Sequence, residues 1–114
     1  MSTLPTYTAT IYIAADEAQA RAVLRRECYE RGLCVTVTPT TFVYTGGEER
    51  GVAIGLVNYP RFPSSPGDLF RRAVEVARRL LGECCQRSAL VVAPDITEWI
   101  CVEPPGSAKP ENAR

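Results

Sequence analysis

The strongest pattern in the sequence is a pair of apolar stretches joined by two glycines. Between residues 33 and 38 apolar and polar side chains alternate, and the alternation resumes at 42–44, which is typical of a strand with one buried face. Pro39 has no N–H to donate, so it predicts a sheet edge or a bulge. Gly46–Gly47 allows the chain to reverse into the apolar run 52–57. These residues together predict a long β-hairpin.

Two helices are predicted from their end signals. Asp16 with Gln19 three residues later has the form of a capping box, and Gly32 is a typical residue just beyond a last helical turn. Ser65 and Asp68 form a second capping box, with a proline acceptable at the first helical position between them. The sequence therefore predicts one helix before the hairpin and one after it.

The remaining strands complete the fold. Alternation predicts a first strand at 6–14, and apolar runs predict a fourth strand at 88–93 and a short returning strand at 97–102 that buries Trp99 or Ile100. The order β-α-β-β-α-β predicts a ferredoxin-like α+β fold. In that fold two helices cover one face of a four-stranded antiparallel sheet, and the returning strand would be a short fifth.

Length and composition limit the organisation. A chain of 114 residues suffices for one core, so we expect a single α+β domain over 1–102. Residues 103–114 carry too little apolar surface to pack, which predicts a disordered C-terminal tail. The start has no signal-peptide pattern and no long apolar run follows, so we expect a protein of the bacterial cytoplasm without membrane contact.

Charge and ligand-forming residues exclude several classes of function. The 13 basic and 13 acidic residues balance, which argues against general affinity for a nucleic acid polymer. Five cysteines without C-x-x-C spacing and the lack of histidine argue against a metal site, and no cofactor is expected. On the second helix Arg71, Glu75 and Arg79 lie four residues apart, which predicts two ion pairs.

One face of the predicted sheet is left uncovered by the helices. The residues at the corresponding positions are small and only half polar: Thr8, Thr10, Tyr12, Cys34, Thr36, Thr38, Ala53, Gly55 and Val57. Because an open face of this kind is commonly covered by a second subunit, we expect a homodimer or a higher homo-oligomer.

The loop NYPRFP, residues 58–63, has the composition of a ligand site. Its prolines fix the backbone, and its other side chains offer amide pairing, stacking and phosphate contact. Arg61 would hold a phosphate, Tyr59 or Phe62 would stack on a base, and Asn58 would bind a base edge or a ribose hydroxyl. In the structural alternative the two rings plug the end of the core while Arg61 caps a carboxylate. The whole predicted ligand-binding set is Asn58, Tyr59, Arg61, Phe62, Arg26, Arg87 and Asp95.

Catalysis finds little support in the sequence. No histidine is present to act as general base, no glycine-rich phosphate motif precedes a helix, and no acidic pair has metal-ligand spacing. The sequence therefore predicts a binding protein without catalytic residues, not an enzyme.

The segments GLCVTVTPTTFVYTGG and GGEERGVAIGLVNYPRFPSSP resemble small phage and prophage anti-defence proteins, above all the first type of Thoeris anti-defence protein. That resemblance implies a sponge that sequesters a cyclic nucleotide-like small molecule, namely a cyclic ADP-ribose isomer or a cyclic oligonucleotide, without cleaving it. Two alternatives stay open. One is a small anti-CRISPR-like inhibitor that blocks a host defence protein by direct contact, and the other is a small-molecule-binding regulatory domain.

Overall fold

The computed structural model describes residues 3–102, so the predicted tail over 103–114 lies outside the described residues. Five antiparallel strands form one sheet in the order β2-β3-β1-β4-β5, and both helices pack on one face of it. The elements are β1 Thr8–Ile13, α1 Glu17–Arg31, β2 Val35–Tyr44, β3 Gly47–Val57, α2 Pro66–Glu83, β4 Ser88–Val92 and β5 Thr97–Cys101. This is the predicted ferredoxin-like α+β arrangement with the short fifth strand added beside β4.

The predicted helix signals are confirmed as contacts. The Gln19 N–H donates to Asp16 Oδ2 at 3.1 Å, and the Asp68 N–H donates to Ser65 Oγ at 3.1 Å. Gly32 follows α1 in the left-handed region, with φ 64°. Each cap satisfies a backbone group that the first or last turn leaves without a helical partner.

The hairpin of β2 and β3 extends further than β1, the neighbouring strand with which β3 pairs. Its strands stay in register from Val35 opposite Leu56 to Tyr44 opposite Gly47. β1 pairs with β3 only as far as Ile13 opposite Val52. The hairpin therefore projects beyond the end of β1. Because β2 is an edge strand, Pro39 is tolerated within it.

The core lies between the sheet and the two helices. Its largest fully buried side chains include Ile11 of β1, Ile54 of β3 and Leu80 of α2. Burying a side chain of this size contributes about 1.5–3 kcal/mol. On β5 the residue that enters the core is Ile100, whereas Trp99 is 63% exposed on the opposite face.

An ion-pair network joins the helices across their packed faces. Arg79 donates to Glu27 of α1 at 2.7 Å and to Glu83 of its own helix at 2.7 Å. Arg26 of α1 pairs with Glu83 at 2.5 Å. Glu27 is almost fully buried, and the hydrogen bond from Arg79 offsets the cost of burying its charge. The pairs predicted with Glu75 are thus replaced by pairs with other carboxylates.

No helix within residues 3–102 is long and apolar enough to cross a membrane.

Candidate functional site

A cavity of about 470 Å³ opens on the face of the sheet that the helices leave uncovered. It lies where the hairpin projects past the end of β1, beside the start of β4. The lining residues are Tyr12, Ile13, Ala14, Thr40, Phe42, Glu49, Ser88, Ala89, Leu90 and Trp99. This volume falls within the usual range for small-molecule sites.

Two aromatic rings form one wall of the cavity. The centroids of Tyr12 and Phe42 lie 6.4 Å apart with their planes at 77°, which is an edge-to-face pair. Phe42 can lie across β3 because residue 51 is glycine. A Cβ atom on Gly51 would clash with the carbonyl oxygen of Ile13 and would lie 2.5 Å from Phe42 Cε2. The lack of a side chain at Gly51 therefore shapes this wall.

The opposite wall is Trp99. Its indole N–H donates to Cys101 Sγ at 3.2 Å, which restrains the ring along β5. Trp99 stands opposite Leu90, and Leu90 stands opposite Tyr12. Two strand spacings, about 10 Å in all, therefore separate the backbones of Trp99 and Tyr12, and Phe42 lies two strands beyond Tyr12. The result is an aromatic slot with Leu90 at its floor, suited to a planar ring system.

One carboxylate is present among the lining residues of this slot. Glu49 stands opposite Phe42 in the hairpin, so the two side chains share the open face. Aromatic faces and a carboxylate both attract cations. The slot therefore suits a planar ligand that also carries a positive charge.

A second, polar cavity of about 400 Å³ adjoins the first and shares Ala14 and Thr40 with it. It lies between the β1–α1 connection and the hairpin. Asp16 and Glu17 line it from the start of α1, and Arg50 lines it from β3. Glu17 pairs with Arg21 at 2.9 Å, whereas no ion pair involves Arg50 within residues 3–102.

Most side chains of the loop predicted as the ligand site already contact other groups of the protein. The Asn58 side chain donates from Nδ2 to the carbonyl oxygen of Pro5 at 3.0 Å, and its Oδ1 accepts from the Ser64 N–H at 2.9 Å. Tyr59 and Phe62 stack on each other with centroids 6.2 Å apart. The amide of Asn58 thus holds the loop in place, a role that its sequence context did not reveal.

The other predicted ligand residues divide between the two ends of the sheet. Asp95 accepts a hydrogen bond from the Tyr7 hydroxyl at 2.9 Å, and the Asn58 N–H donates to the Tyr7 carbonyl oxygen. Asp95 therefore lies at the same end of the sheet as the loop that begins at Asn58. Burial and then the bond to Asp95 raise the pKa of Tyr7.

The two remaining arginines lie at the opposite end. Arg87 directly precedes β4, and Arg26 pairs with Glu83 at the end of α2. Arg61, by contrast, is exposed within the loop, and no side-chain partner is found for it among residues 3–102. The seven predicted residues therefore do not converge on one cavity.

Sequence reasoning missed the aromatic slot, although a signal for it was present. Alternation along β1 and β2 places Tyr12 and Phe42 on the face without helices, where large rings have no core to enter. Trp99 was expected to be an alternative core residue to Ile100. If each aromatic residue had been assigned to a face of the sheet from the alternation along its strand, the three rings would have been placed on the same face.

No protein-family model matches the chain, and no curated protein sequence matches it. Two solved structures share its fold. A phage SAM lyase in complex with S-methyl-5′-thioadenosine superposes with a TM-score of 0.63 at 14% identity, covering 90% of this chain and 95% of that one. A phage SAM lyase in the apo state gives a TM-score of 0.62 at 16% identity, covering 90% and 96%. At these identities the similarity establishes the fold.

The prediction that a chain of this kind is not an enzyme is wrong, because a solved protein with the same fold is a lyase. The chain has no histidine and no glycine-rich phosphate motif, but some bond cleavages need neither a general base nor such a motif.

Proposed function

We propose that this protein is a phage-type counter-defence enzyme that binds S-adenosylmethionine (SAM) in the aromatic slot and cleaves it to S-methyl-5′-thioadenosine (MTA). The observation that carries the proposal is the slot itself, a cavity with three aromatic side chains and one carboxylate. It occurs on a fold shared with a phage SAM lyase that was solved with MTA bound.

Recognition in the slot follows from the side chains present. The adenine ring would stack between Trp99 and the rings of Tyr12 and Phe42. Stacking of a base on an aromatic side chain contributes about 1–3 kcal/mol. The sulfonium of SAM is attracted by the aromatic faces and by the carboxylate of Glu49.

The chemistry needs no histidine. Breaking the bond between the sulfonium sulfur and the amino-acid side chain leaves the electron pair on sulfur, which departs as the neutral thioether MTA without needing a proton. Because a lyase consumes no water, the carbon that loses sulfur would form its new bond within the amino-acid fragment: the carboxylate oxygen of that fragment attacks this carbon as the carbon–sulfur bond breaks, which closes a lactone. The positive charge on sulfur decreases in the transition state, so the aromatic side chains of the slot favour the transition state over the charged substrate, whereas the carboxylate of Glu49 contributes to substrate binding.

The proposal is tested by incubating the purified protein with SAM and analysing the products by mass spectrometry. We expect MTA together with a second product that has gained no water. A second product heavier by one water would make the protein a hydrolase, and unconsumed SAM would end the enzymatic proposal. A thermal shift with a cyclic ADP-ribose isomer, and none with MTA, would instead favour the sequestration predicted from the resemblance.

Trp99→Ala tests the position of the slot. Loss of one stacking wall should weaken MTA binding by roughly ten- to a hundredfold. Tyr29→Ala is the matched control, because it removes a 91% exposed ring from α1, away from the slot. Isothermal titration with MTA measures both variants. Affinity equal to that of the wild type in Trp99→Ala would move the site elsewhere on the molecule.

Glu49→Gln tests the charge recognition. The carboxylate attracts the sulfonium but has little to attract in neutral MTA, so the KM for SAM should rise by roughly two- to fivefold, as for an exposed ion pair. The affinity for MTA should stay unchanged. An equal loss of affinity for both compounds would mean that Glu49 shapes the slot instead of attracting charge.

A further inference from the structure

We propose that the polar cavity beside the slot, between the start of α1 and the hairpin, binds the amino-acid end of the sulfonium substrate. Arg50 would bind the α-carboxylate and Asp16 the α-ammonium group. The inference rests on the proposed function. It assigns a binding site to the amino-acid end of the substrate, which would have no contacts in the aromatic slot.

The two cavities are placed for a ligand with two ends. They share Ala14 and Thr40 as lining residues, so they adjoin at the end of β1. In SAM a short carbon chain joins the sulfur to the amino-acid group. A ligand whose adenine and sulfur occupy the slot therefore needs only this short chain to reach the polar cavity.

The side chains of the polar cavity match a zwitterion. Arg50 and Thr41 stand opposite each other in the hairpin, one residue from the Phe42–Glu49 pair, so alternation points Arg50 to the face opposite the slot. Its guanidinium presents paired donors that fit a carboxylate. Asp16 Oδ2 accepts one backbone N–H, and a carboxylate has further lone pairs for an ammonium donor. The lining residues of the slot include no such pair of opposite charges, and MTA has no zwitterionic group for such a pair to bind.

Binding of uncleaved analogues separates the two ends. S-adenosylhomocysteine keeps the amino-acid group but has a neutral sulfur, and MTA lacks both the amino-acid group and the charge. We expect the wild type to bind S-adenosylhomocysteine roughly three- to tenfold more tightly than MTA, with the preference shrinking as salt screens the exposed charges. Arg50→Gln should abolish the preference and leave the affinity for MTA unchanged.

Two comparison variants make the test specific. Arg78→Gln removes an exposed arginine from α2 and should keep the preference. Arg61→Gln removes the arginine of the Asn58–Phe62 loop and should keep it as well. If Arg61→Gln abolishes the preference and Arg50→Gln does not, the amino-acid end lies at the loop and the inference is overturned.

The outcomes also distinguish this inference from the function on which it depends. Tight binding of MTA with equal affinity for S-adenosylhomocysteine would overturn the amino-acid subsite and leave the slot intact. Decarboxylated SAM adds a positive test, because it has no carboxylate and its affinity should not change in Arg50→Gln. If neither MTA nor S-adenosylhomocysteine binds, the slot and the subsite are both overturned.

Discussion

Gly51 has more influence on the site than its position in the hairpin suggests. It is buried, and the backbone of β1 and the ring of Phe42 occupy the space that a Cβ atom would take. The sequence offers no signal for this, because a glycine in a strand is equally compatible with a bulge or with a close approach. The three-dimensional neighbours decide between these possibilities.

Gly51→Ala should therefore affect stability and binding together. Displacing Phe42 and the end of β1 should cost about 1–3 kcal/mol of unfolding free energy, and it should lower the affinity for MTA by moving one wall of the slot. Gly82→Ala is the control, since a Cβ there meets nothing within 4 Å inside α2 and should stabilise the protein by about 0.5–1 kcal/mol. Urea unfolding and titration with MTA measure both effects. A variant as stable as the wild type would show that the packing around Gly51 relaxes freely.

Among the elements, the helix ends and strand periods could be predicted because they depend on residues near in sequence. Asp16, Ser65 and Gly32 act on backbone groups within a few residues, so their roles could be read directly. The partners of Arg79 could not be read in this way. Its position favoured Glu75, but the packing of α1 against α2 brings Glu27 within 2.7 Å, and a tertiary contact leaves no local trace. The aromatic slot was missed because its lining residues come from all five strands, so the alternation along each strand had to be combined before they could be grouped.

The network between the helices predicts a particular dependence on pH. Hydrogen bonds from Arg79 and then Arg26 lower the pKa of Glu83 below its ordinary value of 4.5. The folded state therefore binds fewer protons than the unfolded state just below pH 4.5, and the stabilisation is present above that value and lost as pH falls through the folded pKa.

Glu83→Gln should flatten the fall in stability below about pH 4.5, as measured by urea midpoints across that range. Part of the fall should persist, because Arg71 also lowers the pKa of Asp68. Glu75→Gln changes an exposed carboxylate on the same helix and serves as the control. Parallel pH profiles for the wild type and Glu83→Gln would mean that the unfolded state holds the same interaction.

At the scale of the whole molecule, the open face of the sheet has two distinct parts. The aromatic slot occupies the end near the projecting hairpin. The other end is the threonine patch, defined here as Thr8, Thr10, Thr36, Thr38 and Val57, and its side chains lie on the same face. The sequence predicted that a second copy of the chain covers this face, and that homo-oligomer stays a prediction. The division of the face allows a partner to cover the threonine patch while the slot stays accessible.

Thr36→Glu tests this arrangement more cleanly than a charge at Gly55. A Cβ atom on Gly55 would lie 2.6 Å from Thr36 Oγ1, so a substitution there would disturb the sheet itself. Thr36 is exposed on the edge strand, and a glutamate at this position would bring an unpaired charge into the interface. We expect light scattering to report an oligomer for the wild type and a shift towards monomer for Thr36→Glu.

Gln19→Glu, which adds the same charge to the exposed side of α1, should leave the mass unchanged. Because the slot lies at the other end of the face, the affinity for MTA should survive in Thr36→Glu. An unchanged mass in that variant would remove the threonine patch as the interface.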